Sequence, residues 1–142
     1  MRALLDVNVL IALLDSDHIA HRQAATWLTQ NAAAGWASCP LTQNGCLRIM
    51  STAGYRYPLP VQAVAARLAE ACATELHQFW PDDVSMLDAR IVDTARVHGP
   101  KQLSDIYLLA LAVKHGGRLV TFDGSIAQTA VVGAGAQHLL AI

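Results

Sequence analysis

Apolar residues along this chain fall into short unbroken runs that alternate with longer stretches where they recur every three or four positions. The runs fit buried strands and the recurring stretches fit amphipathic helices. Ala3 to Val7 reads as a first strand, and Val9 to Leu14 as the opening turns of a helix that Asn8 could cap. His18 to Asn31 carries Ala24, Trp27 and Leu28 at helical spacing, and Gly35 follows its end. Trp36 to Cys39 is a second strand. Leu41 to Ser51 then reads as a helix, although Gly45 weakens it by about 1 kcal/mol.

Gly54, Pro58 and Pro60 mark a loop before an alanine-rich helix from Val61 to Thr74. His77 to Trp80 is a third strand, ended by Pro81. The stripe Leu87, Ile91, Val92 and Ala95 predicts a helix from Ser85 to His98, with Ser85 and Asp88 placed like a capping box. Ser104 to His115 is the strongest helical pattern, with Ser104 at the cap and Asp105 in the first turn. A fourth strand from Arg118 to Phe122, a turn at Asp123-Gly124, a short helix near Ser125 to Ala130 and a last strand from Gln137 to Leu140 complete the chain. Strands alternating with helices predict an α/β fold. Its central parallel sheet has about four to five short strands, with helices on both faces.

At 142 residues, with no stretch that reads as a linker, the chain is expected to form one domain over residues 1–142. Hydrophobic residues make up 54% against 15% charged, which excludes a disordered chain and predicts a large core. The net charge of -1 gives no global basic field, so contact with nucleic acid has to be local or carried by metal ions. Three cysteines without a C-x-x-C pair indicate reduced, buried thiols rather than a disulfide framework or zinc knuckle. The longest apolar runs fall short of the roughly 18 residues of a membrane span, so the expectation is a soluble, cytoplasmic protein with no membrane contact.

The chemistry lies where acids interrupt the apolar pattern. Asp6 occupies a place where a core strand would hold Val or Leu, and an unpaired buried charge costs several kcal/mol. Each of three acids has an ordinary structural use: Asp6 as a helix cap, Asp105 as a complement to a helix dipole, Asp123 as a turn residue. A parallel sheet, however, opens the carboxyl ends of all its strands on one edge. Asp6 and Asp123 can therefore share a pocket into which a helix start aims Asp105. Three like charges repel unless cations intervene, and oxygen-only ligands suit Mg²⁺, with Mn²⁺ as a substitute. The matching reaction is hydrolysis of a phosphodiester by a metal-activated water. Neither a Gly-rich phosphate loop nor a nucleophile elbow is present as a competing signal.

Three segments carry a family resemblance: L-L-D-V-N-V-L-I-A at the start, L-S-D-I-Y-L-L-A-L-A before the last third, and L-V-T-F-D-G near the end. They resemble the ordered motifs of the PIN-domain nucleases, in particular VapC-type toxins of bacterial toxin-antitoxin pairs. The resemblance implies a Mg²⁺-dependent endoribonuclease that forms a homodimer and is neutralised by a cognate antitoxin. It puts Asp6, Asp105 and Asp123 at the catalytic, metal-holding positions, and Asn8 and Thr121 among the polar residues that support them. Family members commonly carry a glutamate in the helix after the second strand, where this chain offers Gln43. An amide can supply a neutral oxygen but no charge, which predicts a weaker cation site.

Among the cations, Arg48 follows Gln43 closely and is the candidate for contact with RNA phosphate. Two other functions compete. A catalytically weak or inactive PIN domain could act by binding RNA or its antitoxin. An aspartyl nucleophile at Asp6 would instead need a downstream lysine, for which the chain offers only Lys101 and Lys114.

Overall fold

A computed structural model describes all residues 1–142. Its sheet contains β1 (Ala3–Leu5), β2 (Trp36–Ser38), β3 (His77–Phe79), β4 (Arg118–Thr121) and β5 (Leu139–Ala141). The strands run in the order β3-β2-β1-β4-β5 and every pairing is parallel. The helices are α1 (Val7–Leu14), α2 (His21–Asn31), α3 (Pro40–Ser51), α4 (Val61–Cys72) and α5 (Leu103–Lys114). None is long and apolar enough to cross a membrane.

Alternation along β1 divides the core in two. Leu4 packs with Ala37, Leu119 and the α5 residues Ile106, Leu109 and Ala110 on one face. Ala3 and Leu5 pack on the other with Val9 and Leu10 of α1, Cys46 and Met50 of α3, and Val64 and Leu68 of α4. Successive strand residues point to opposite faces, so a fully apolar strand such as Ala3–Leu5 requires cover on both, and every one of its side chains is buried. Strand order and alternation thus explain why α5 stands alone on one face while α1, α3 and α4 cluster on the other. Cys39 and Cys46 are buried free thiols, and Cys72 is half-buried and also free.

Several sequence expectations need correction. The stretch from Ser85 to His98 is not a helix; it is a series of turns with a single 3₁₀ turn at Thr94–Arg96. The cause is local competition for backbone donors. Ser85 Oγ accepts from the Leu87 amide, Asp88 from that of Arg90, and Asp93 from that of Ala95. Such i to i+2 bonds satisfy the backbone in a non-helical form. Leu87, assigned to the buried stripe, is 93% exposed.

The first helix starts at Val7, so Asp6, not Asn8, is its cap, and β1 stops at Leu5. Ser104 is likewise no cap, because a 3₁₀ turn at Pro100–Gln102 leads straight into α5 and leaves Ser104 inside the helix. Near residue 125 only the 3₁₀ turn Gln128–Ala130 forms. The remaining elements differ from expectation by one to three residues at their ends, the usual scatter at frayed boundaries.

Candidate active site

The site is built at the carboxyl edge of the two central strands. Asp6 follows β1, and its amide donates to the Val120 carbonyl of β4 at 2.9 Å. Its own carbonyl accepts from the Val9 and Leu10 amides, which makes it the cap of α1. The side chain is almost wholly buried, at 7% exposure. One carboxylate oxygen accepts from the Val7 amide at 2.7 Å and the other from Thr121 Oγ1, also at 2.7 Å.

Thr121, the last residue of β4, is the hub of this edge. Its fully buried hydroxyl donates to Asp6 and accepts from Asn8 Nδ2 at 3.3 Å and from the Asp123 amide at 3.0 Å. Asn8 Oδ1 accepts from the Phe122 amide at 3.4 Å, so the start of α1 is strapped to the end of β4. Asp123 is turned into its own loop, where its Oδ1 accepts from the Ser125 amide at 2.8 Å and from Ser125 Oγ at 2.6 Å. Asp105, in the first turn of α5, lines a cavity of about 480 Å³ together with Asp6.

The three acids differ electrostatically. Burial raises the Asp6 carboxyl, against the lowering effect of its bonds to Thr121 and Val7. Burial also raises Asp105, to about 6, with added repulsion from Asp6 and Asp123. Asp123 is held below the usual carboxylate range by Ser125. The chain's ion pairs join Arg90 to Asp88, Arg96 to Asp93, and Lys114 and His115 to Asp83. Asp6, Asp105 and Asp123 take part in none of them. No protein cation is paired with them. The carboxylates are not drawn into a closed cage, since no three His, Cys, Asp or Glu side chains cluster tightly enough to hold a metal by themselves.

Comparison with known proteins gives this edge a context. The family model described as PIN domain matches residues 3–132. The chain belongs to the PIN domain family. It is 55% identical to Ribonuclease VapC44 of Mycobacterium tuberculosis (strain ATCC 25618 / H37Rv) over 139 residues, covering 98% of each chain. It is 42% identical to Ribonuclease VapC39 of the same strain, covering 94% of this chain and 96% of that one. This PIN domain therefore stands among the VapC proteins. Among solved structures, VapBC2 from Rickettsia felis bound to a promoter DNA fragment has a TM-score of 0.64 at 10% identity, covering 100% of this chain and 99% of that one. Mycobacterium tuberculosis VapC20, a sarcin-ricin loop cleaving toxin, has the same TM-score at 12% identity, covering 92% and 96%. At such identities the likeness is one of fold.

The amide expected near the acids lies elsewhere in this PIN domain. Gln43 donates from Nε2 to Ser38 Oγ at 3.0 Å, in a chain that continues to His77 Nε2 at 2.8 Å, and it lines a groove against Leu68 and Cys72 of α4. The α3 residues that line the acidic cavity are Leu41, Asn44, Gly45 and Arg48. Asn44 was missed in the sequence. The available signal was the helical spacing of Leu41, Gly45 and Arg48, which puts Asn44 on the same face one position before the glycine that approaches α1.

Gly45 sets that approach. A Cβ there would stand 2.7 Å from Cγ2 of Val7, the residue next to Asp6. Val7 is β-branched and in a helix, so it has little freedom to swing away. Gly45→Ala should therefore push α3 outward and destabilise the fold by about 1–3 kcal/mol, outweighing the roughly 1 kcal/mol that alanine gains in helix propensity. Denaturant unfolding of the variant measures the balance.

Proposed function

We propose that this PIN domain is a Mg²⁺-dependent endoribonuclease that hydrolyses RNA phosphodiester bonds, the toxin of a toxin-antitoxin pair. The observation that carries the reading is the pair of carboxylates, Asp6 and Asp105, sharing one cavity while neither is ion-paired with a protein cation. Relatives named Ribonuclease VapC at 55% and 42% identity supply the substrate class.

The donor set fits a hard divalent cation. Mg²⁺ is commonly held by one or two carboxylates while keeping several waters, which suits an edge with two inward-facing acids and no closed cage. Asp6 and Asp105 would hold it, with Asp123 beside them and Mn²⁺ as a substitute. When bound, the cation supplies charge compensation to the phosphate and a more acidic water as nucleophile. The chain's own residues set the stage. Thr121 and the Val7 amide fix the Asp6 carboxylate in one orientation, Asn8 ties the two strand ends, and Ser125 holds Asp123 ionised at the rim. We assign the partners by the same family membership: a cognate antitoxin and a second copy of the chain in a homodimer.

The test is cleavage of a structured RNA by the purified protein with Mg²⁺ or Mn²⁺ against EDTA, alongside calorimetric titration of Mg²⁺ into the RNA-free protein. Cutting that depends on the cation, with Mg²⁺ binding in the absence of RNA, supports the reading. Cutting that persists in EDTA overturns the cation's role. RNA binding without cutting favours a domain that acts by binding alone, a reading to which the outward turn of Asp123 gives some weight.

A further inference from the structure

The acidic cavity has a second wall, and its chemistry is opposite. Arg48 lines it from α3, one turn after Asn44. The Arg48 guanidinium is exposed, and neither an ion pair nor a side-chain hydrogen bond occupies it. Most other arginines are engaged: Arg2 donates to the Trp36 and Leu76 carbonyls, Arg90 and Arg96 pair with aspartates, and Arg118 lies over the Trp27 ring, while Arg22, also free, stands on α2 outside the cavity. Arg48 is thus a free, planar five-donor group on the lining of a cavity that also holds two carboxylates. A phosphodiester strand entering there meets repulsion from Asp6 and Asp105, and a guanidinium is the protein group best shaped to hold its nonbridging oxygens.

We propose that Arg48 is the phosphate grip of this site and that a neutral residue at position 44 is what keeps it free to act as one. The inference rests on the RNA-cleaving reading and extends it to the substrate side. Its logic is the helix spacing. A carboxylate at position 44 would stand four residues before Arg48, the arrangement in which an acid and a base pair along a helix. That pair would occupy the fork that RNA needs. Asn44 makes no side-chain hydrogen bond in the structure and carries no charge, so it lines the same cavity without competing for the guanidinium. The cavity thereby keeps a free cation beside its two acids.

The experiment measures the affinity of a fluorescently labelled single-stranded RNA for the full chain in EDTA, where cleavage is suppressed, over a range of salt concentrations. Arg48→Gln should weaken binding about tenfold, the loss of one charge-assisted contact, and reduce the salt slope by about one phosphate. Asn44→Asp should weaken binding about twofold through pairing with the guanidinium, and that part of its cost should vanish in the Arg48→Gln background, where only the repulsion of the added charge remains. Arg22→Gln, an exposed α2 position outside the cavity, serves as the control for a general charge effect. Mg²⁺-dependent cutting by the wild type, with Arg48→Gln binding RNA at unchanged affinity and slope, would overturn the grip and leave the nuclease reading intact. A wild type that neither binds nor cuts RNA would remove both.

Discussion

Replacing Asp105 with asparagine should abolish RNA cleavage and at the same time make the cation-free protein more heat-stable. The carboxyl of Asp105 is displaced from 3.8 to about 6 by burial and by the neighbouring Asp6 and Asp123. A raised acid binds its proton more tightly folded than unfolded. As pH climbs from about 4 to about 6 the unfolded chain ionises first, so stability falls across that window and the full penalty holds above it. The displacement corresponds to at most about 3 kcal/mol, and partial exposure of the side chain reduces it to about 1–2 kcal/mol.

Asparagine removes that penalty at pH 7 and nothing at pH 4. The melting temperature should therefore rise by a few degrees near neutrality and stay unchanged in acid. Cleavage should fall more than a hundredfold, beyond the roughly 10–100-fold typical of residues that only orient a ligand. Added Mg²⁺ should stabilise the wild type and leave the variant unmoved. Scanning calorimetry at the two pH values, with and without Mg²⁺, checks all three parts. A variant less stable than the wild type at pH 7 would mean that Asp105 is a structural residue and not a repelled acid.

How far this arrangement was legible in the sequence depended on what each signal encodes. Asp6 stood out because it interrupts an apolar run, and a parallel sheet leaves only one edge where such a residue can go. The alternation of strands and helices was readable because Ala3–Leu5 and the Leu119-Val120 centre of Arg118–Thr121 are short apolar runs between helical patterns, which fits central strands. The segment from Ser85 to His98 was not readable from periodicity. Its apolar spacing matches a helix, but Ser85, Asp88 and Asp93 each take a nearby backbone amide, and that competition outweighs the stripe.

The confusion between Gln43 and Asn44 has another origin. Adjacent residues on a helix point about 100° apart, so choosing between them requires knowing which face of α3 meets α1. That face is set by Gly45 against Val7, a tertiary contact at which the spacing of Leu41, Gly45 and Arg48 only hints. Arg48 was identified by its closeness in sequence to Gln43, yet its unpaired state is a property of the folded surface.

Thr121→Val should leave the strand intact and disable the edge it organises. Valine matches threonine in shape and favours strands, so β4 has no reason to unravel. The fully buried hydroxyl, however, serves three partners, and its loss leaves Asp6 with only the Val7 amide as donor and both Asn8 Nδ2 and the Asp123 amide without an acceptor. A buried carboxylate deprived of one of its two donors loses about 1.5–3 kcal/mol of stabilisation for its charged form. Part of that loss is relieved by holding a proton, so Asp6, already raised by burial, climbs further.

A cation ligand has to be ionised, and activity on the acid side is lost as pH falls through its pKa. A higher pKa for Asp6 therefore moves the acid limb of the cleavage profile toward higher pH. Cleavage at pH 7 should drop by about 10–100-fold and recover in part as the medium is made more alkaline. Thr121→Ser keeps the hydroxyl and should retain the wild-type profile with a small loss of stability from the missing methyl. Rescue by serine, with no rescue by valine, ties the effect to the hydrogen bond and not to packing. A valine variant that cuts with the wild-type pH profile would show that Asp6 is held in place by Val7 and the backbone alone.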